Sequence, residues 1–413
     1  MKKYILLPLI WALTLPVFAQ NDDPVRVDFP DTQVTDSLPP VPWPQNMRLQ
    51  LDTLLMQHRA MLDTSELGLL VWDLTADSAL YAMNPRHILR PASNMKLVTS
   101  ITALDKLGGS YQFRTSLYYK GTITGGTLTG DVYCVGGFDP RFSTDDLHAF
   151  VERLQSLGVD TIQGRLVADK SMKDSDTLGW GWCWDDENPV LSPLLMQGKD
   201  NFLERFSISL RAAGMTVIAE QAEERLPAGA TFVCSRFHTM DQILMRMMKD
   251  SDNLYAESMF YQLAATQGAR PATAKQARAV ISKLIDNKLG LNSSDYIFAD
   301  GSGLSLYNYL SPELEVRLLR YAWRNANIIA HLLPSLPIAG HDGTLSKRMK
   351  GTAADNNVRA KTGTLKGVVT LAGYCTAPNG HTLCFSIMNQ GVLTSSRARD
   401  FQDKLCIVLC ATP

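Results

Sequence analysis

The chain has 413 residues, of which 45% are hydrophobic and 20% charged, with a formal net charge of −1. That length allows two or three domains with cores of their own, and the composition is that of a globular protein rather than a disordered or fibrous one. With charge near balance and no basic block, nothing favours nucleic acid as a partner.

At the N-terminus, Lys2 and Lys3 precede an apolar run from Tyr4 to Phe18, interrupted by Pro16, and Val17-Phe18-Ala19 places small residues at a cleavage site. This is the grammar of a signal peptide over residues 1–19, too short for a comfortable membrane span. No cysteine stands directly after the cleavage site, so no lipid anchor is expected there, and no later stretch reaches the length of a membrane helix. The mature protein is therefore expected to be exported, periplasmic and at most peripherally associated with a membrane. Residues 20–44 are rich in Pro, Asn and Asp and read as a linker.

From Gln45 to Met61 an apolar stripe (Leu49, Leu54, Leu55, Met61) predicts a helix. Leu67–Leu74 and Ser78–Met83 read as two strands joined by Thr75-Ala76-Asp77. Leu97, Ile101 and Leu104 then repeat at helical spacing, and Gly108-Gly109 ends that helix. Beyond it, Phe113–Tyr119, Gly121–Thr127 and Asp131–Val135 are short β-prone segments punctuated by glycine. A helix (Asp145–Leu157), a strand (Thr161–Ala168), the cluster Trp180-Gly181-Trp182-Cys183-Trp184-Asp185 and a helix (Phe202–Ala213) follow. The Trp cluster is read as a loop packed on this region, an α+β insert over 108–235 that carries no catalytic grammar. Helical patterning returns at Met240–Met248, Leu254–Thr266, Ala272–Asn287 and Pro312–Asn325. Strands are expected at Val358–Thr364, Val368–Cys375 and Thr382–Asn389, then a helix at Ser396–Cys410.

The seven cysteines are an odd number without metal-ligand spacing, so no metal or other cofactor is expected. If Asn379-Gly380 is a two-residue hairpin turn, Cys375 and Cys384 fall opposite each other, although Pro378 weakens that register.

Three motifs, each present once, carry the chemistry. Ser93-Asn94-Met95-Lys96 opens a helix, and residues three apart share a helix face. A serine becomes a nucleophile when a neighbouring base takes its proton, and a neutral lysine is such a base. Burial and the positive charge of Lys361 are expected to keep Lys96 neutral. Ser251-Asp252-Asn253 lies in a helix–helix loop, where Ser251 can relay a proton and Asn253 can bind an amide and orient Lys96. Lys361-Thr362-Gly363 lies on a strand, where Lys361 and Thr362 can dock a carboxylate. Gly363 is expected to leave room for a substrate backbone. The backbone N–H groups of Ser93 and Thr364 are the expected oxyanion donors.

With these motifs go Arg90-Pro91-Ala92, Gly136-Gly137-Phe138-Asp139-Pro140, Gly181-Trp182-Cys183-Trp184-Asp185, Leu254-Tyr255-Ala256-Glu257, Asp300-Gly301-Ser302-Gly303-Leu304-Ser305, Asp342-Gly343-Thr344-Leu345 with Arg348, and Thr364-Leu365. In these stretches the chain resembles low-molecular-mass class C penicillin-binding proteins, the D-alanyl-D-alanine carboxypeptidase/endopeptidase family S13. The resemblance covers nearly the whole mature chain. It implies an α+β penicillin-recognising, β-lactamase-like fold, an antiparallel sheet plus a helical lobe, with a catalytic domain (45–107 and 236–413) split by the insert. The family typically nests a further domain after Pro193-Leu194, but here Leu194–Asn201 runs straight into the Phe202 helix, so that domain is expected to be missing. The implied activity is hydrolysis of D-Ala-D-Ala ends or D-Ala-linked cross-links of peptidoglycan stem peptides through an acyl-enzyme on Ser93, with β-lactams as covalent inhibitors. Two alternatives are a serine β-lactamase, for which no Glu-x-x-Leu-Asn loop follows Ser251, and a low-turnover penicillin- or cell-wall-binding protein.

Overall fold

The run Glu66–Asp73 is apolar at consecutive positions, as in a strand covered on both faces. A computed structural model describes residues 41–184, 188–265, 268 and 270–413, and places this run as an interior strand of a five-stranded sheet. The signal peptide and residues 20–40 of the linker lie outside the described residues. In chain order the first elements are α1 (Trp43–Gln57), α2 (Arg59–Leu62), β1 (Glu66–Asp73), β2 (Ser78–Met83) and α3 (Met95–Leu107). Next come β3 (Gln112–Thr124), β4 (Thr127–Val135), α4 (Thr144–Ser156), β5 (Thr161–Asp169), α5 (Phe202–Ala212), β6 (Thr216–Glu223) and β7 (Thr231–Thr239). The remainder is α6 (Met240–Lys249), α7 (Asn253–Ala265), α8 (Ala274–Leu284), α9 (Pro312–Trp323), α10 (Ala326–Ser335), β8 (Arg359–Leu365), β9 (Val368–Thr376), β10 (Thr382–Gln390) and α11 (Ser395–Ala411).

The first sheet has the order β2-β1-β10-β9-β8, antiparallel throughout, so segments 66–83 and 359–390 meet in it. Leu67, Leu69 and Val71 point into a core shared with α1 and α11. Leu70 points the other way, into the core of the helical lobe built from α3 and α6–α10. Edge strand β8 lies against a 3-10 turn, Ala92–Asn94, that leads into α3. The second sheet, β6-β5-β4-β3-β7, pairs β3 antiparallel with β4 and β7, and β5 parallel with β4 and β6. With α4 and α5 it encloses a separate core. Residues 42–413 cohere as one compact unit.

Several local expectations change in the tertiary structure. The three glycine-punctuated segments after residue 112 are one hairpin, β3 and β4, turning at Gly125-Gly126. Gly121 and Gly130 stand opposite each other inside the ladder, and a Cβ on either would run into the backbone of the other strand. They permit close approach instead of breaking the strands. Cys375 and Cys384 are out of register by one residue: Cys384 faces Tyr374 and Cys375 faces Leu383, so their side chains leave opposite faces. Both thiols are free. The sequence pattern gives no clear signal for strands β6 and β7 or helix α10. β6 and β7 are largely exposed, and α10 (Ala-Asn-Ile-Ile-Ala-His-Leu-Leu-Pro-Ser) holds Pro334 inside it.

Candidate active site

Three elements bring the motif residues together: the turn into α3, the α6–α7 loop, and β8. Ala92 occupies the left-handed region (φ +47°), as does Ser251 (φ +60°). A non-glycine residue there is uncommon and is held by its surroundings. Thr370 on β9 donates to the Pro91 carbonyl at 2.7 Å and so ties the turn to the sheet.

Lys96 is fully buried, and its Nζ donates to Ser93 Oγ at 3.1 Å, Asn253 Oδ1 at 2.8 Å and the Ser302 carbonyl at 2.8 Å. Asn253 is free for this because Asp252 caps α7: its Oδ1 accepts from the Tyr255 N–H at 3.3 Å. Lys361, also fully buried, donates to Ser251 Oγ at 2.9 Å and to the Thr362 carbonyl at 2.7 Å. The Thr362 hydroxyl donates to Thr344 Oγ1 at 2.7 Å, a partner on the 343–345 turn that the motifs do not name. Hydrogen bonds thus link Ser93, Lys96 and Asn253 in one group and Ser251 and Lys361 in another. Thr364 is exposed on β8, and its hydroxyl accepts from Arg399 at 3.3 Å.

Gly363 differs from expectation. The space left by its missing side chain is filled by the protein, since a Cβ there would sit 2.1 Å from Thr370 Oγ1, 2.8 Å from the Pro91 carbonyl oxygen and 3.0 Å from the Ser93 nitrogen. The glycine lets β8 close on the Ser93 turn, which brings the Ser93 N–H beside the strand that carries Thr364.

Burial dominates the electrostatics. It lowers Lys96 to about 8, while the carboxylates of Asp300, Glu257 and Asp252 pull the other way. Lys361 is held well below the usual lysine range, first by burial and then by the charge of Lys96. The lowering of Lys96 thus comes from desolvation, and the expected help from Lys361 is not among its causes; the influence runs from Lys96 to Lys361. Glu257 is pushed up to about 8 by burial and by Asp300, and its oxygens accept from the backbone N–H groups of Gly301 and Ser302. Glu315, enclosed behind the turn, is raised to about 7 by burial. Its Oε2 accepts from Asn94 Nδ2 at 3.1 Å and Ser386 Oγ at 2.7 Å. The motifs give no role to Glu257, Asp300, Ser302, Thr344 or Glu315. The first four lie in stretches quoted above, but their tasks depend on contacts distant in sequence.

The Trp cluster is also placed differently. Trp180 and Trp184 are exposed, whereas Trp182 is buried in the core of the helical lobe and its Nε1 donates to Asp300 Oδ2 at 2.8 Å. Asp185 lies outside the described residues. Among the described residues no group of His, Cys, Asp and Glu is arranged to hold a metal ion. No helix among them is long and apolar enough to cross a membrane.

The family model of the D-Ala-D-Ala carboxypeptidase 3 (S13) family matches residues 47–196 and 194–411. A D-alanyl-D-alanine carboxypeptidase of Actinomadura sp. is 28% identical over 420 residues, covering 78% of this chain and 77% of that protein. D-alanyl-D-alanine carboxypeptidase DacB of Haemophilus influenzae is 25% identical over 406 residues, covering 78% of this chain and 84% of the relative. The crystal structure of penicillin binding protein 4 from H. influenzae superposes with a TM-score of 0.78 at 24% identity, over 86% of this chain and 97% of that one. The H. influenzae protein has also been solved in complex with a β-lactam. A predatory peptidoglycan endopeptidase from Bdellovibrio bacteriovorus shares the fold at a TM-score of 0.57 and 18% identity, over 84% of this chain and 94% of that one.

Proposed function

Because this chain belongs to the D-Ala-D-Ala carboxypeptidase 3 (S13) family of serine peptidases, we propose that it cleaves D-Ala-D-Ala ends, D-Ala-linked cross-links, or both, in peptidoglycan stem peptides through an acyl-enzyme on Ser93. The observation that carries this reading is the pairing of two enclosed lysines with two serines, Lys96 with Ser93 and Lys361 with Ser251. Lys96, lowered to about 8, takes the Ser93 proton as Oγ attacks the D-Ala carbonyl. Negative charge on that oxygen is met by the N–H groups of Ser93 and Thr364. Ser251 relays the proton that Lys96 has taken to the leaving D-Ala amine as the C–N bond breaks, so that Lys96 returns to its neutral form, and Asn253 binds the substrate amide and holds Lys96. Lys361 and Thr362 receive the terminal carboxylate. Its arrival also favours the charged form of Lys361. Water then releases the acyl group. β-Lactams acylate Ser93 by the same attack, with the ring amide in place of the peptide.

The catalytic domain is assigned to 45–107 and 236–413 and the insert to 108–235, without the innermost family subdomain. The second sheet, within 112–239, and the two family-model segments that meet at residues 194–196 support this division. The charged and apolar pattern of residues 1–19 supports export, with the periplasm as the compartment.

Intact mass after benzylpenicillin should rise by one drug molecule, and Ser93→Ala should abolish the rise. The same preparation should release D-Ala from a stem peptide. An adduct that survives Ser93→Ala removes Ser93 as nucleophile. Rapid penicillin release without D-Ala release would assign a β-lactamase instead.

A further inference from the structure

The loop Asp300–Ser305 is the wall behind both Ser93 and Lys96. Its Ser302 carbonyl accepts from Lys96 at 2.8 Å, and Gly303 lies so close to the Ala92 carbonyl that a Cβ would sit 1.8 Å from the oxygen. Several clamps hold the loop. Glu257 of α7 accepts from the N–H groups of Gly301 and Ser302, and Thr99 of α3 donates to the Gly301 carbonyl at 2.7 Å. Asp300 folds the loop on itself, accepting from the N–H of Gly303 at 2.8 Å and of Ser305 at 2.7 Å, and from Asn308 Nδ2 at 2.8 Å.

The remaining clamp comes from elsewhere in the chain. Trp182 belongs to the segment between β5 and α5, yet its indole N–H donates to Asp300 Oδ2 at 2.8 Å in a buried contact. The five-membered part of its ring, Nε1 included, lies against Gly179, where a Cβ would sit 2.5 Å from Cε2 and 2.8 Å from Nε1. That fit fixes the ring's orientation, and hence the direction of its N–H.

We propose that Trp182 is a positioning residue for Lys96: it fixes the Asp300 carboxylate, and Asp300 fixes the loop that presents the Ser302 carbonyl to the lysine. This rests on the assignment of Lys96 as the base under Proposed function. It also makes the segment between β5 and α5 part of what sets the chemistry. One effect follows from losing the N–H. The Ser302 carbonyl loses part of its restraint, so Lys96 is aimed less well at Ser93, and misplacement of a reacting group on the ångström scale is costly in rate.

The test measures benzylpenicillin acylation by the full-length protein and its variants, separating the acylation rate constant from the initial binding constant. Trp182→Phe should reduce the acylation rate constant about tenfold while leaving initial binding unchanged. Trp180→Ala, in the same cluster but exposed, should match wild type. If Trp182→Phe does not fold, benzothienylalanine at position 182 keeps the ring shape and replaces the N–H by a sulfur that cannot donate. A folded variant of either kind with the wild-type acylation rate constant, or one whose loss falls on initial binding, overturns the proposal. Wild-type protein that forms no adduct overturns instead the reading on which it rests, before any variant is compared.

Discussion

Lys96 and Lys361 are both completely enclosed, and each directs its nitrogen at a different serine, Lys96 at Ser93 and Lys361 at Ser251. Lys96 is assigned to proton transfer, so Lys96→Ala should lose acylation by every substrate. Lys361 is assigned to the terminal carboxylate, through a charge-assisted hydrogen bond worth roughly 1.5–3 kcal/mol. Lys361→Ala should therefore cost a peptide ending in free D-Ala about ten- to a hundredfold in kcat/KM. An internal thioester without a carboxylate should lose far less at matched pH. Equal losses on the two substrates would withdraw the docking role.

Acylation should follow the neutral form of Lys96. With that group near 8, the second-order rate constant for penicillin should climb with pH and level off above an inflection near pH 8. Asp252 is one of the carboxylates that favour the charged amine. Asp252→Asn keeps an oxygen able to cap α7 but removes the charge, so the inflection should move to lower pH. A flat profile between pH 6 and 9, or a shift upward, would contradict Lys96 as the base.

Glu315 makes stability depend on pH. Its carboxyl is raised to about 7 by burial, so the folded chain binds this proton more tightly than the unfolded one. The contribution is fully present below the unfolded value and is lost as pH rises through the folded value. From pH 5 to pH 8 the loss is about 2–3 kcal/mol. Glu315→Gln cannot ionise, so its stability relative to wild type should improve by about that amount over the same range. Urea unfolding of both proteins at the two pH values measures it. A difference that does not change with pH would mean that Glu315 titrates normally.

Gly363→Ala separates two explanations for that glycine. The added methyl meets Thr370 Oγ1 and the Ser93 turn, so it should push β8 away from the nucleophile. Overpacking of this kind costs about 1–3 kcal/mol, and acylation by penicillin should fall with it. If penicillin acylation is intact and only cleavage of long peptides suffers, the glycine clears space for substrate and the contact with the turn is incidental.

The sequence by itself picked out the candidate reacting groups, because their chemistry resides in residue type and short spacing. Ser93 and Lys96 share a helix face by geometry, and Ser251, Asn253 and Lys361 sit in single-copy motifs whose local setting reads directly. It also determined the strands of the first sheet to within a few residues, since their apolar runs are long and bounded by turns. What only the tertiary structure decided are relations between distant residues. The pairing of Cys384 with Tyr374 depends on a register set along the whole β9–β10 ladder. Gly121 and Gly130 look like strand breaks until they are seen opposite each other. Lys96 is lowered to about 8 by its enclosure, and that enclosure comes from a loop some two hundred residues away. Trp182 reads as part of a loop packed on the insert, and only the folded chain brings its N–H to Asp300. Residue identity fixes what a group can do, whereas burial and long-range contact set its protonation and its aim.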